Sequence, residues 1–200
     1  MTTEAHIPAF TRLEVDARRA QLLEVATERF GQRPYDQVSV EDIADAAGVS
    51  RGLLYHYFPG KRSLYIAVIR AGIARLIDAT TPPDDLPPAE QLRYSLDAYI
   101  SHALYQTHPY QMALHASSFS DREVYALVDS ARTALLDRVL ASLDPPDRGA
   151  AVELALHGWV GYVESVCLRW LAHQHMPRET LVELMARPLG PILTQARQLD

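Results

Sequence analysis

Cysteine is almost missing from this chain of 200 residues: Cys167 stands alone. That excludes an internal disulfide and any zinc site built on paired thiolates, and it suits a reducing compartment. Lysine is equally scarce, Lys61 being the single lysine among 19 basic residues. Long apolar runs are absent as well. In the least charged region the longest uncharged stretch is 154–163, about half of what a membrane span needs, so no membrane association is expected. The start, Met1-Thr-Thr-Glu-Ala-His-Ile-Pro8, has no basic stretch followed by an apolar one, so a cytoplasmic protein is expected. Catalytic patterns are also lacking. There is no His-x-x-x-His, no Glu-x-x-His, no Gly-x-Ser-x-Gly and no glycine-rich phosphate loop. His173-Gln-His175 reads as a solvated loop pair. An enzyme is not expected, nor a metal or cofactor.

What is present is the balance of a soluble globular protein, 48% hydrophobic and 22% charged. The length allows one large or two small domains. A net charge of −6 argues against coating nucleic acid by bulk attraction. The charge is unevenly spread, however. Residues 1–80 balance ten basic against ten acidic side chains, and residues 81–200 carry the whole excess. No acid occurs between Asp45 and Asp78, whereas Arg51, Lys61, Arg62, Arg70 and Arg75 all fall there. Such a basic island suggests a local anion-binding face, or equally a solvated helical surface.

The periodicity is helical nearly throughout, and no hairpin signal or strand-length alternation appears. A first helix is expected over about 15–31, with Leu22, Leu23, Ala26 and Phe30 on one face and Pro34 ending it. Ser39-Val-Glu-Asp42 is a capping box opening a short helix that stops at Gly48. Ser50 caps a third helix through Phe58, and a fourth runs from Lys61 to about Ala79. Four prolines within 82–88 then force a break. Further helices are expected at about 89–106, 109–116, 121–143, 148–174 and 177–187. Ser120-Asp-Arg-Glu123 opens the third of these, and Asp144-Pro-Pro-Asp147 follows it. Pro188, Gly190 and Pro191 predict a kink or a second short helix. The expected fold is all-α. A helix-turn-helix domain over 1–60 is joined by a linking helix, 61–80, to a larger helical domain, 81–200.

Residues 39–58 carry the functional information. Two short helices around the small corner Ala47-Gly48, with Ile43, Ala44, Val49 and Leu54 inside, form a helix-turn-helix. At 100° per residue from a buried Leu54, Gly52 and His56 point outward, with Leu53 and Tyr55 on the flanks. Leucine, tyrosine and histidine are poor solvent choices on so short a helix and better suited to a groove. Gly52 costs about 1 kcal/mol relative to alanine within a helix. Close approach of another molecule would explain it, as would its place in the first turn.

The run Ile43-Ala44-Asp-Ala-Ala-Gly-Val-Ser-Arg-Gly-Leu-Leu-Tyr-His-Tyr-Phe-Pro-Gly-Lys-Arg-Ser-Leu64 resembles the signature of the TetR family of transcriptional regulators. The resemblance implies that Ser39 opens the helix resting on the DNA backbone and that Ser50, Arg51, Gly52, Leu53, Tyr55 and His56 belong to the recognition helix. Tyr55 and Lys61 would hold phosphates. Arg51, Leu53 and His56 are the candidates for base edges, Arg51 through guanine O6 and N7 and Leu53 on a thymine methyl. Tyr57 fills a place where many relatives carry histidine. Glu41 sits where some members read a base. Its carboxylate either accepts from cytosine or is a solvated first-turn acid.

The helix at 149–172 is apolar almost all round and must be buried on both sides; one can pack on its own domain and the other on a second copy of the chain. The resemblance implies a homodimer, with two recognition helices reading a palindromic operator in double-stranded DNA. Gly158, Gly161 and Ser165 would allow close approach, or would face the subunit's own core. The resemblance further implies a cavity for a small-molecule effector, of unknown identity, that releases a repressor from DNA. Its candidate lining is Tyr99, His102, Tyr105, Met112, His115 and Phe119, with Trp159, Tyr162 and Glu164 on the apolar helix. Each of these aromatic and methionine side chains also fits plain core. Glu164 either pairs with an arginine such as Arg169 or faces the ligand, because a buried carboxylate needs a partner. Cys167 reads as inert core. A helical interaction protein without a ligand is the alternative.

Overall fold

The computed structural model describes residues 9–105, 122–142 and 149–200. Among them every regular element is a helix. They are α1 (Ala9–Gln32), a 3-10 turn (Tyr35–Gln37), α2 (Val40–Ala46), α3 (Arg51–Tyr57), α4 (Lys61–Ala79), α5 (Pro88–Tyr105), α6 (Arg122–Ser142), α7 (Ala150–His173), α8 (Arg178–Ala186) and α9 (Leu189–Ala196). The all-α class expected from the sequence is the class observed. The helix expected at 109–116, the capping box at 120–123 and the break at 144–147 fall partly or wholly outside the described residues. So do Met112, His115 and Phe119.

Helix α1 starts at Ala9, ahead of the expected Val15. The apolar face marked by Leu22, Ala26 and Phe30 sets a minimum length only, and nothing after Pro8 interrupts helical backbone. Gly31 is absorbed within the helix, which ends before Pro34. At the far end, α9 begins after Pro188 and carries Pro191 in its first turn. A missing N–H costs little there, because first-turn donors have no intrahelical acceptor.

The chain separates into two compact units, Met1–Ile69 and Arg70–Asp200, the boundary falling inside α4. In the first, α1 packs on α2 and α2 on α3. Leu22, Ala26, Phe30, Ile43, Ala44, Leu54, Phe58 and Leu64 form the interior. Val49, expected inside the corner, is only half-buried. Gly48 has φ +66°, the left-handed conformation that lets the chain turn between α2 and α3.

In the second unit α7 is the central helix. Val152, Leu156, Trp159, Val163, Cys167 and Trp170 are buried along one side of it, and α5, α6, α8 and α9 pack against it. The Trp159 indole N–H donates to the Met185 carbonyl at 2.9 Å, and the Tyr162 hydroxyl donates to the Leu184 carbonyl at 3.0 Å, which ties α7 to α8. The other side of α7, expected to pack on a second copy of the chain, is uncovered within one chain. Within one chain Leu154 is 74% exposed, and Gly158, Gly161 and Ser165 share that open face. The first turn of α7 is capped from a distance, because its N-cap Gly149 has no side chain. The Asp200 carboxylate accepts from the amides of Ala151 at 2.8 Å and Val152 at 3.2 Å.

Candidate functional site

The local chemistry of α2 and α3 fixes the outward-facing row. Ser39 and Asp42 form the reciprocal capping box: the Asp42 amide donates to Ser39 Oγ at 2.9 Å, and the Ser39 amide donates to Asp42 Oδ2 at 3.1 Å. Ser50 Oγ accepts from the Leu53 amide at 3.2 Å. Both hydroxyls thus start helices. With Leu54 and Phe58 buried beneath it, α3 exposes Arg51, Gly52, Leu53, Tyr55 and His56, while Tyr57 is half-buried with its ring edge-on to His56. A Cβ added at Gly52 would meet only Ser50 Oγ, at 3.9 Å. The protein's own packing therefore does not demand glycine at this position.

Two contacts on this unit had no signal in residue spacing. Arg51 Nη1 donates to Glu41 Oε1 at 2.7 Å, joining the exposed surfaces of α2 and α3. That bond is the main reason the Glu41 carboxyl is held below its ordinary range and the guanidinium above its own. Glu41 is thus a solvent-exposed acid of the first turn that pairs with Arg51. The second contact places the Lys61 ammonium 4.1 Å from the centre of the Tyr35 ring, a cation–π arrangement. Tyr35 is in turn stacked on Phe30 and edge-on to Tyr65. Of the basic island, Arg51, Lys61 and Arg62 lie in the first unit, whereas Arg70 and Arg75 lie in the second, Arg75 near His102.

In the second unit some of the proposed effector-lining residues meet and others do not. Glu164 pairs with Arg132 of α6, not with Arg169. The guanidinium donates twice, Nε to Oε1 at 2.8 Å and Nη2 to Oε2 at 2.7 Å. Tyr99 is buried and lies within electrostatic reach of Arg132. One turn along α5, burial and then the Arg75 charge push His102 down to about 4, so its ring is neutral at physiological pH. Trp159 and Tyr162 instead commit their polar atoms to α8, and Tyr105 is 60% exposed. A cleft of about 140 Å³ between α6 and α7 is lined by Thr133, Leu136, Asp137, Leu140, Glu153, Leu156 and His157. None of the residues proposed from the sequence lines it. No cluster of metal-ligating side chains and no helix long and apolar enough to cross a membrane occurs among the described residues.

Polar ties that the sequence did not announce hold the second unit's helices in register. Arg138 donates to Thr80 Oγ1 at 3.2 Å and to the Ile77 carbonyl at 3.1 Å, at the C-terminal end of α4. Ser95 Oγ donates to the Thr80 carbonyl at 2.8 Å. Arg178 of α8 donates to the Asp97 side chain, the Asp97 carbonyl and Ser101 of α5.

Comparison with known proteins agrees with this layout. Residues 22–68 match the family model described as bacterial regulatory proteins, tetR family, and residues 88–189 match the tetracyclin repressor-like C-terminal domain. The HTH-type transcriptional activator FasR of Mycolicibacterium smegmatis is 32% identical over 133 residues, covering 64% of this chain and 59% of FasR. The HTH-type transcriptional repressor KstR2 of Mycobacterium tuberculosis is 35% identical over 77 residues, covering 35% of this chain and 38% of KstR2. The chain thus spans less than two thirds of these curated relatives. Among solved structures, a tetR-family transcriptional regulator from Streptomyces coelicolor superposes with a TM-score of 0.86 at 32% identity, covering 92% of this chain and 84% of that one. FadR from Bacillus subtilis, solved in complex with stearoyl-CoA, shares the fold at 20% identity, covering 88% of this chain and 97% of its own, with a TM-score of 0.67. With both parts of the chain matched and a near-complete structural counterpart, the protein belongs to the TetR family of helix-turn-helix transcriptional regulators.

Proposed function

We propose that this chain is a homodimeric repressor that binds a palindromic operator through α3 and is released by a small-molecule effector held in its second unit. The observation that carries the reading is the row Arg51, Gly52, Leu53, Tyr55 and His56, exposed on a capped helix that α2 supports. That row offers a bidentate donor, an apolar contact for a thymine methyl and ring N–H or O–H groups, with a glycine where backbone must come close. Ser39 and Lys61 flank it and, with Tyr55, serve phosphates.

A second copy of the chain is the natural cover for the open face of α7. Leu154 stands out from it, and beyond the helix's own adjacent backbone no atom lies within 4 Å of a Cβ built at Gly158 or Gly161, so a partner helix can approach closely there. The effector reading rests on the neutral, half-buried His102 and on Tyr99 beside the Arg132–Glu164 pair. Those polar groups inside an apolar bundle can orient a ligand. An effector releases DNA only by binding the DNA-incompetent conformation more tightly. Repression follows relatives such as KstR2, although FasR is an activator by name.

The test is fluorescence anisotropy of the purified protein on DNA from upstream of its own coding region against scrambled DNA at fixed salt, with sedimentation to count protomers. Saturable, salt-sensitive preference for one sequence by a dimer is expected. Arg51→Ala and His56→Ala should then relax sequence preference. Lys61→Ala should weaken all DNA alike and flatten the salt slope by about one. No binding to any duplex by a folded dimer refutes the assignment.

A further inference from the structure

Glu41 is an oddity on a surface meant for a polyanion. It lies on α2, exposed to solvent, with one carboxylate oxygen accepting from Arg51. A carboxylate facing DNA repels phosphates, so its presence there needs a compensating use. The Arg51 guanidinium makes no other hydrogen bond among the described residues. The pair consumes one Nη1 donor and leaves the Nε and Nη2 edge, which has the spacing that matches guanine O6 and N7. Asp45, also on α2, adds a weaker attraction to the same guanidinium.

We propose that Glu41 is a positioning and specificity-determining residue that holds Arg51 in one orientation, so that Arg51 reads a guanine rather than neutralising the nearest phosphate. The inference rests on α3 being the recognition helix. An unrestrained arginine is long and flexible, and on DNA it is drawn to whichever phosphate it reaches, a contact that carries no sequence information. Pinned by Glu41, the side chain has given up part of its rotamer freedom before DNA arrives. The pair is also close to neutral, so it adds little to sequence-independent attraction. On a water-exposed surface such a pair contributes little to stability. Covered by DNA, with water expelled, the mutual attraction strengthens.

The experiment starts with duplexes that the wild-type protein enriches from a random pool. Anisotropy then compares the enriched duplex with scrambled DNA at two salt concentrations, for wild type, Glu41→Ala, Glu41→Gln, Arg51→Ala and Glu41→Ala/Arg51→Ala. Glu41→Ala should lower the enriched-to-scrambled affinity ratio by about tenfold, the discrimination of one bidentate base contact. It should also bind scrambled DNA more tightly than wild type, with a salt slope steeper by about one as Arg51 becomes free to take a phosphate. Glu41→Gln, which keeps an acceptor at the same reach, should lie between. The double variant should match Arg51→Ala in its ratio, because Glu41 acts through Arg51. An unchanged ratio in Glu41→Ala overturns the proposal, and so does a double variant whose loss is the sum of the single losses, which would make Glu41 a base reader itself. A wild type that enriches no sequence overturns the recognition-helix reading and this proposal with it.

Discussion

Replacing Glu164 by methionine would leave the Arg132 guanidinium between α6 and α7 with no counter-charge. The two parallel bonds that it loses are 2.8 and 2.7 Å long. Breaking a fully buried pair costs about 3–5 kcal/mol, whereas an exposed pair is worth about 0–1 kcal/mol. The Arg132 and Glu164 side chains are 22% and 15% exposed. This lies nearer the buried limit but is partly screened, so the expected cost is about 2 kcal/mol. In a chain of this size that corresponds to a melting point lower by about 4–8 °C. Arg132→Met alone should cost a similar amount by stranding the carboxylate. The double variant, apolar on both sides, should cost less than either single change, since two buried charges are removed together. Urea unfolding at fixed protomer concentration measures all four proteins, the slope m being compared to verify a common transition. If the double variant's loss equals the sum of the single losses within about 0.5 kcal/mol, the two groups do not act as a pair and the reasoning fails.

Three further outcomes are expected. His102 is neutral in the fold at pH values where it would be protonated in the unfolded chain. Its contribution to stability is therefore intact above about 6.5 and declines as the pH falls towards about 4, at up to about 1.4 kcal/mol per pH unit. Acid unfolding of His102→Leu should lack that component, and an identical pH profile would show that His102 is not neutral in the fold. Gly48→Ala forces a side chain into a φ of +66° and should destabilise by about 1 kcal/mol, with Gly48→Asn milder. Equal stability of the two would remove the conformational argument. Ser39→Ala removes the side-chain half of a capping box and should cost about 1 kcal/mol by thermal melting, whereas an unchanged melting point would show that the cap contributes nothing.

The candidate site was legible unevenly, and the reason is the range of the signal. The caps at Ser39 and Ser50, the corner at Gly48 and the outward row on α3 depend on residues three or four apart, so the sequence displays them directly. Leu54 as the buried reference placed Gly52 and His56 correctly for the same reason. The Glu41–Arg51 bond spans ten residues and crosses two helices. Nothing in either helix's periodicity indicates it, although two opposite charges flanking a tight corner are a cue worth testing in related chains.

The second unit shows where local pattern ends. An apolar α7 was evident from composition, and so was the need of Glu164 for a partner, since a carboxylate in apolar surroundings must be compensated. The choice of Arg132, 32 residues away, over Arg169 was made by the packing of α6 on α7. Likewise the commitment of Trp159 and Tyr162 to carbonyls of α8, and the cap that Asp200 provides to α7, arise only when distant segments meet. By itself the sequence determined the helical class, the helix-turn-helix and the face that α3 presents, because helical periodicity and capping are short-range. Tertiary structure alone decided which charges pair, which aromatic side chains join helices and which side of α7 stays open. Those outcomes depend on the positions of atoms far apart in the chain.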